Sequence, residues 1–392
     1  MKRILFVGMV DAIHAVRWIS QITDQECEVF FFPVERARLH PEFRNLTIFT
    51  PNIFSVKYPA NNRVRLLPWV NLLFLLEAKI PKFLGVPAPG LVEKALQWVI
   101  QTWKPDLVHS LEFQKAGYLT LAVKQKMGAR FPRWIATNWG SDIALFGKFP
   151  EHREKIQSIL AECDYYSAEC QRDVDLAREL GFNKKNLPVL PNAGGYDLEK
   201  IGAYRQPGAV SSRKVVLLKG YQGWAGRGLA GLRALTLCAD ALKGFRVLIF
   251  AANPDVVLAA RVFAIETGIP TEIIPYGSHK EMLRLHGQAR IYIGLSIVDG
   301  ISTSLLEALV MGALPIQSCT ACADEWITDG ENGFIVPPED PHVIAQAIRT
   351  ALTNDALVDG AAEKNSEIAR KRLSQTVISP IAIKIYRDIL EE

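Results

Sequence analysis

The sequence predicts two α/β domains in series, each built on a doubly wound parallel sheet. Three observations predict this. The chain has 392 residues, more than a single hydrophobic core usually supports. Short β-rich runs alternate with helical patterns, the rhythm of parallel strands joined by right-handed crossovers. That rhythm runs twice, with a break over residues 204–213 where Pro, Gly and Ser occur without a periodic apolar face.

In the first set, strands are predicted at residues 4–8, 27–33, 107–110, 134–137 and 165–168. In the second, they fall at 215–219, 246–251, 271–275, 290–295, 314–318 and 333–336, with helical segments such as 229–242 and 256–267 between them. Residues 204–213 are read as the linker between a first domain ending at 203 and a second spanning 214–374. Open α/β sheets bind ligands at the carboxyl ends of their strands, so the site is expected in a cleft between the domains.

Composition excludes several classes. The 45 basic and 41 acidic residues leave a net charge of +4 without basic runs, which argues against nucleic acid as a partner. The opening MKRILFVG reads as a buried strand rather than a signal peptide, since its apolar run is short and lacks a small-residue cleavage site. A cytoplasmic location is expected. Six dispersed cysteines make no disulfide framework, and the CxxC at Cys319 and Cys322 has no partner pair for zinc and no N-terminal βαβ setting for redox work. The apolar stretch 65–79 is interrupted by Pro68 and charges, short of the roughly 20 residues a spanning helix needs. The first βα turn, Gly8 to His14, lacks G-x-G-x-x-G, so no nicotinamide cofactor is expected. No cluster has metal-ligand spacing, and no metal is expected.

The richest segment runs from Ser296 to Gln317: a strand end, a turn containing Asp299, Gly300, Ser302, Thr303 and Ser304, a helix carrying Glu307, and a return to strand. Backbone N–H groups at a helix start favour an anion such as phosphate. Two readings stand for Glu307. With Ser304 it completes the S-x-x-E pattern of a capping box, or its carboxylate accepts hydrogen bonds from paired ligand hydroxyls. Capping alone leaves Asp299, Gly300 and the hydroxyl cluster without a common purpose.

Asp299 and Glu307 have the spacing of the acidic-x7-Glu motif, and the segment, with Gly312-Ala-Leu-Pro315, Glu325 and Asp329-Gly-Glu-Asn-Gly333, resembles the signature of family-4 retaining glycosyltransferases. The resemblance implies that Asp299 contacts hydroxyls of the donor sugar and Glu307 holds the ribose of the nucleotide. The family usually carries Glu at the first position, so Asp299 is a shortened version.

The Gly-rich loop from Lys219 to Gly228 resembles the family's phosphate-clamp region, with Lys219 and Arg227 as the two cations over the leaving diphosphate. The family's order is Arg first, so the types are exchanged here; the alternative is a solvated loop with two surface charges. Pro105-Asp-Leu-Val-His-Ser110 and Thr137-Asn-Trp-Gly-Ser-Asp142 are similar to the family's Pro-Asp-Val-Val-His strand and Thr-x-His-Gly-Ser-Asp turn. Trp139 stands where many relatives carry His, so that residue's role does not transfer. Asn138 and Asp142 are candidates for sugar or acceptor contacts, Asp142 equally for a cap, and His109 for a satisfied core histidine.

The resemblance implies a GT-B fold of two facing Rossmann-like domains, with residues 375–392 crossing back as a C-terminal helix onto the first. It also implies transfer with retention of configuration from a nucleotide sugar, without a metal, to a glycan or lipid-linked acceptor, as in polysaccharide or glycoconjugate biosynthesis. The alternatives are a nucleotide-sugar binding protein without turnover and an epimerase on the same fold. Segment 66–84 mixes Trp69, Phe74, Phe83 and leucines with flanking Arg63, Arg65, Lys79 and Lys82. It reads either as a buried helix or as a peripheral contact with an anionic bilayer at the inner membrane face.

Overall fold

The computed structural model describes residues 1–49, 60–67, 76, 77, 79 and 90–392. The chain divides into two compact units, Met1–Gly195 with Ile378–Glu392, and Tyr196–Val377.

The first unit holds β1 (Lys2–Gly8), β2 (Cys27–Pro33), β3 (Thr47–Ile48), β4 (Arg65–Leu66), β5 (Leu107–Leu111), β6 (Arg133–Thr137), β7 (Tyr165–Ser167) and β8 (Lys185–Asn186). Their order is β4-β3-β2-β1-β5-β6-β7-β8, and every neighbouring pair is parallel. Side chains leave a strand alternately on its two faces. In β1, Leu5 and Val7 accordingly enter one apolar core while Ile4 and Phe6 enter another. Burial on both faces is why these strands read as continuous apolar runs.

The second unit repeats the plan with β9 (Val215–Lys219), β10 (Arg246–Phe250), β11 (Thr271–Ile274), β12 (Ala289–Gly294), β13 (Leu314–Ser318) and β14 (Phe334–Val336). The order is β11-β10-β9-β12-β13-β14, again all parallel. Both doubly wound sheets expected from the sequence are therefore present. Each reverses its strand order once, between β1 and β5 and between β9 and β12, and such switch points are where ligand crevices form.

The last helix, Gln375–Glu391, carries Ile378, Ala382, Tyr386 and Ile389 into the core that contains Ile4 and Phe6. Trp18 Nε1 donates to the Tyr386 hydroxyl at 2.6 Å, which fixes the helix by a buried polar bond as well as by packing.

Residues 204–213 differ from the linker expected of them. They belong to the second unit: Gln206 N donates to Gly287 O at 2.9 Å, and a Cβ at Gly287 would strike the Tyr204 carbonyl. Arg213 is 2% exposed and donates to the carbonyls of Ala289 and Met311, both at 3.1 Å. Met311 ends the helix Thr303–Met311, so the guanidinium satisfies a carbonyl that has no intrahelical partner. Arginine donors, not apolar periodicity, tie this stretch down.

Segment 66–84 lies mostly outside the described residues, Trp69, Phe74, Lys82 and Phe83 among them. Among the described residues, no helix is long and apolar enough to cross a membrane.

Candidate functional site

The switch point of the second sheet brings two loops together. β9 ends at Lys219 and opens the Gly-rich loop; β12 ends at Gly294 and opens the turn that carries Asp299. The loops are joined through the backbone, with Arg227 N donating to Leu295 O at 2.9 Å and Ile297 N to Ala225 O at 3.1 Å. Gly226 bridges to Ser296 at the centre of this pairing, and a Cβ there would lie 2.6 Å from the Tyr221 carbonyl. The glycine permits the close approach.

Lys219 is partly buried, with Nζ 3.4 Å from Ser302 Oγ and 4.4 Å from the centre of the Tyr221 ring. Burial disfavours its ammonium, but the combined field of Tyr292, Asp299, Tyr221 and Glu307 outweighs this and raises its pKa. The lysine stays cationic at neutral pH. Ser302 is the N-cap of the helix Thr303–Met311, yet its side chain caps nothing. Its hydroxyl turns toward Lys219 instead, at the end of the helix where the dipole favours an anion.

Glu307 lies one turn further along that helix and is 5% exposed. The capping-box reading does not hold. Ser302, not Ser304, is the N-cap, and the Glu307 carboxylate reaches sideways to a neighbouring helix. His279 Nε2 lies 3.0 Å from Glu307 Oε1, and His286 Nε2 lies 3.5 Å from Oε2. Both histidines sit on the helix His279–Gln288, whose own start carries a capping box between Ser278 and Glu281. Burial pushes the His286 imidazole down to about 4, despite the field of Glu307, so it is neutral. Sequence reading missed both histidines. Their spacing of seven places them on one helical face, a signal present in the sequence.

Arg227 is oriented otherwise. Its Nε bonds Glu339 at 2.6 Å, and Nη1 donates to the carbonyls of Gly223 and Gly226 at 2.6 and 3.0 Å. The structure thus groups Lys219 and Ser302 within the field of Asp299 and Glu307, with Gly300, Thr303 and Ser304 on the same turn, and directs Arg227 at Glu339.

In the first unit, Asn138 and Asp142 are both buried and engaged internally. Asn138 Nδ2 donates to Asp173 at 2.6 Å, and the Tyr166 hydroxyl donates to Asn138 Oδ1 at 2.6 Å. Asp142 accepts from the backbone N–H of Trp139 at 2.9 Å and of Phe113 at 3.0 Å, tying together the turns that follow β5 and β6. Burial pushes its carboxyl up to about 8, with repulsion from Glu112 adding to this and the Trp139 N–H opposing it. The Trp139 ring packs 5.4 Å from that of His14. His109 is a satisfied core histidine, bonded at Nδ1 to Tyr386 (2.7 Å) and at Nε2 to Thr137 (2.6 Å).

Several solved structures share this architecture over the full length. Sucrose-phosphate synthase from Thermosynechococcus elongatus aligns with a TM-score of 0.70 at 15% identity, covering 100% of both chains. HepE of Anabaena, in complex with UDP-glucose, aligns with a TM-score of 0.69 at 14% identity, over 99% of this chain and 100% of that one. The Escherichia coli trehalose-6-phosphate protein bound with UDP-2-fluoro glucose gives 0.67 at 12% identity, over 100% and 99%. The chain therefore has the GT-B fold. Within it, residues 260–372, which include both histidines and the turn from Asp299 to Glu307, match the family model described as glycosyl transferases group 1. No curated protein matches the chain in sequence.

Proposed function

We propose that the protein is a retaining glycosyltransferase that takes a sugar from a nucleotide-sugar donor held on its second unit. The observation that carries this reading is the grouping of one cation, a set of helix-start amides and a buried carboxylate at a single switch point. A nucleotide sugar presents the matching chemistry: a diphosphate, a ribose diol and a sugar. HepE in complex with UDP-glucose has the same fold, and the group 1 match covers the same turn, which supports it further.

In this reading the Glu307 carboxylate accepts from the ribose hydroxyls, and the amides from Gly300 to Ser304 receive the diphosphate. Lys219 neutralises the charge that grows on the diphosphate as the glycosidic bond breaks. Asp299 accepts from sugar hydroxyls. Arg227 joins the clamp by exchanging Glu339 for phosphate. The acceptor oxygen attacks the anomeric carbon on the face that the diphosphate leaves, and its proton passes to the departing phosphate oxygen, so configuration is retained. No side chain has to act as base, consistent with Trp139 in place of His. Lys219 and the amides supply the stabilisation a metal would otherwise give, so activity is expected to survive EDTA. The acceptor is a glycan or a lipid-linked one.

The test is a panel of UDP-, GDP-, ADP- and dTDP-sugars assayed for thermal stabilisation and for slow release of sugar to water. Stabilisation by one donor together with sugar release is expected. Stabilisation without release or transfer would leave a nucleotide-sugar binding protein, and no stabilisation by any donor would overturn the reading.

A further inference from the structure

Glu307 is enclosed by two imidazoles that the sequence did not single out, and their geometry differs. His279 Nε2 is at hydrogen-bonding distance from Oε1, 3.0 Å, and its side chain is 21% exposed. His286 is 1% exposed, stands 3.5 Å from Oε2, and neither ring nitrogen has a hydrogen-bond partner among the described residues. Its ring packs against Phe250 at 5.8 Å and Tyr292 at 5.2 Å. His286 walls one side of the carboxylate, and His279 binds the other.

We propose that His279 is the positioning residue of the nucleotide site, donating from Nε2 to hold the Glu307 carboxylate in the orientation that receives a ribose diol. This rests on the reading of Glu307 as the ribose ligand. A glutamate has three side-chain torsions, and a hydrogen bond from a ring held on a neighbouring helix narrows the rotamers that the buried carboxylate adopts. A carboxylate has about four acceptor positions, so one bond from an imidazole is compatible with two further bonds from vicinal hydroxyls. His279 opens its helix directly after the Ser278 N-cap, where the capping box with Glu281 fixes the backbone that carries the ring. The Tyr196 ring, 6.5 Å away, is its aromatic neighbour.

The experiment compares UDP with 2′,3′-dideoxy-UDP, which keeps base and diphosphate and lacks the diol, by calorimetry on the full chain. The wild-type protein is expected to bind UDP more tightly. His279→Leu is expected to weaken UDP by roughly tenfold, leave the dideoxy analogue unchanged, and add nothing in a Glu307→Ala background. His279→Gln, which retains an N–H donor at similar reach, should restore most of the loss. An equal loss for both ligands, or an unchanged UDP affinity in His279→Leu while Glu307→Ala weakens UDP, would overturn the positioning role alone. If the wild-type protein does not bind UDP, the same comparison is made with the ribonucleotide of the donor that stabilises it and its 2′,3′-dideoxy analogue; failure to distinguish the two would overturn the Glu307 reading and this proposal with it.

Discussion

Glu307 and Lys219 carry the two halves of the proposed donor recognition, and each has a separable signature. Glu307→Ala is expected to weaken donor and free nucleotide alike, by roughly 1.5–3 kcal/mol, because both contain the ribose and the lost bonds are to a charged group. The structure gives the result a control, because the Glu307 carboxylate contacts His279 and His286 on the neighbouring helix, and a melt reports any loss of that packing separately from loss of nucleotide. Calorimetry with nucleotide, beside a thermal melt, checks it; unchanged affinity would remove the ribose role. Lys219→Ala should act later in the reaction. The charge it faces grows as the bond to the sugar breaks, so turnover should fall more than affinity for a nucleoside without phosphates. Equal turnover in the variant and the parent would place Lys219 outside the chemistry. Both residues were legible in the sequence, since each ends or follows a strand at a switch point. The partners of Glu307 were not. His279 and His286 meet it because one helix packs beside another, and such a pairing leaves no local pattern beyond the spacing of the two histidines themselves.

Among the elements, the legible ones are those whose strands are buried on both faces. β2, β9 and β13 begin and end where the apolar runs predict, at Cys27–Pro33, Val215–Lys219 and Leu314–Ser318. β3, β4 and β8 are two residues each and escaped prediction, because two residues cannot display a period. Residues 204–213 escaped for a different reason. Their attachment is polar, and a composition of Pro, Gly and Ser looks the same whether arginines flank it in solvent or reach into a core. This gives a prediction for the element. Arg213→Met keeps much of the stem's bulk but leaves the carbonyls of Ala289 and Met311 without the donor they share. An unsatisfied buried acceptor costs about 1–3 kcal/mol, so the second unit should melt several degrees lower. The nucleotide site should persist at temperatures well below the new midpoint. A melt unchanged from the parent's would show that the stretch behaves as the linker its composition suggests.

For the whole molecule, buried histidines and buried carboxyls pull stability in opposite directions as pH changes. Burial lowers His109 from 6.5 to about 3 and His286 from 6.5 to about 4. A histidine depressed in the folded state contributes stability above its unfolded pKa and loses it as pH falls, since the unfolded chain takes up the proton first. Asp142 works the other way: raised from 3.8 to about 8, it contributes at low pH and loses that contribution as pH climbs through the same range. Between pH 6 and pH 4, then, unfolding takes up protons at the two histidines and releases them at Asp142, Glu112 and Asp173, whose carboxyls burial raises. Each proton is worth about 1.4 kcal/mol per pH unit, which bounds the share of any one group. Replacing a histidine should remove its share. His286→Leu is the cleaner variant, because neither ring nitrogen is hydrogen-bonded among the described residues and an apolar side chain leaves no new orphan there. Its stability from denaturant melts of the second unit's transition is expected to fall less steeply between pH 6 and pH 4 than the parent's, by about 1 kcal/mol per unit. His109→Gln should flatten the transition of the first unit in the same way, after whatever fixed cost its altered bonds to Tyr386 and Thr137 impose at every pH. Slopes unchanged in both variants would mean that the two imidazoles protonate in the folded protein as readily as in the unfolded chain.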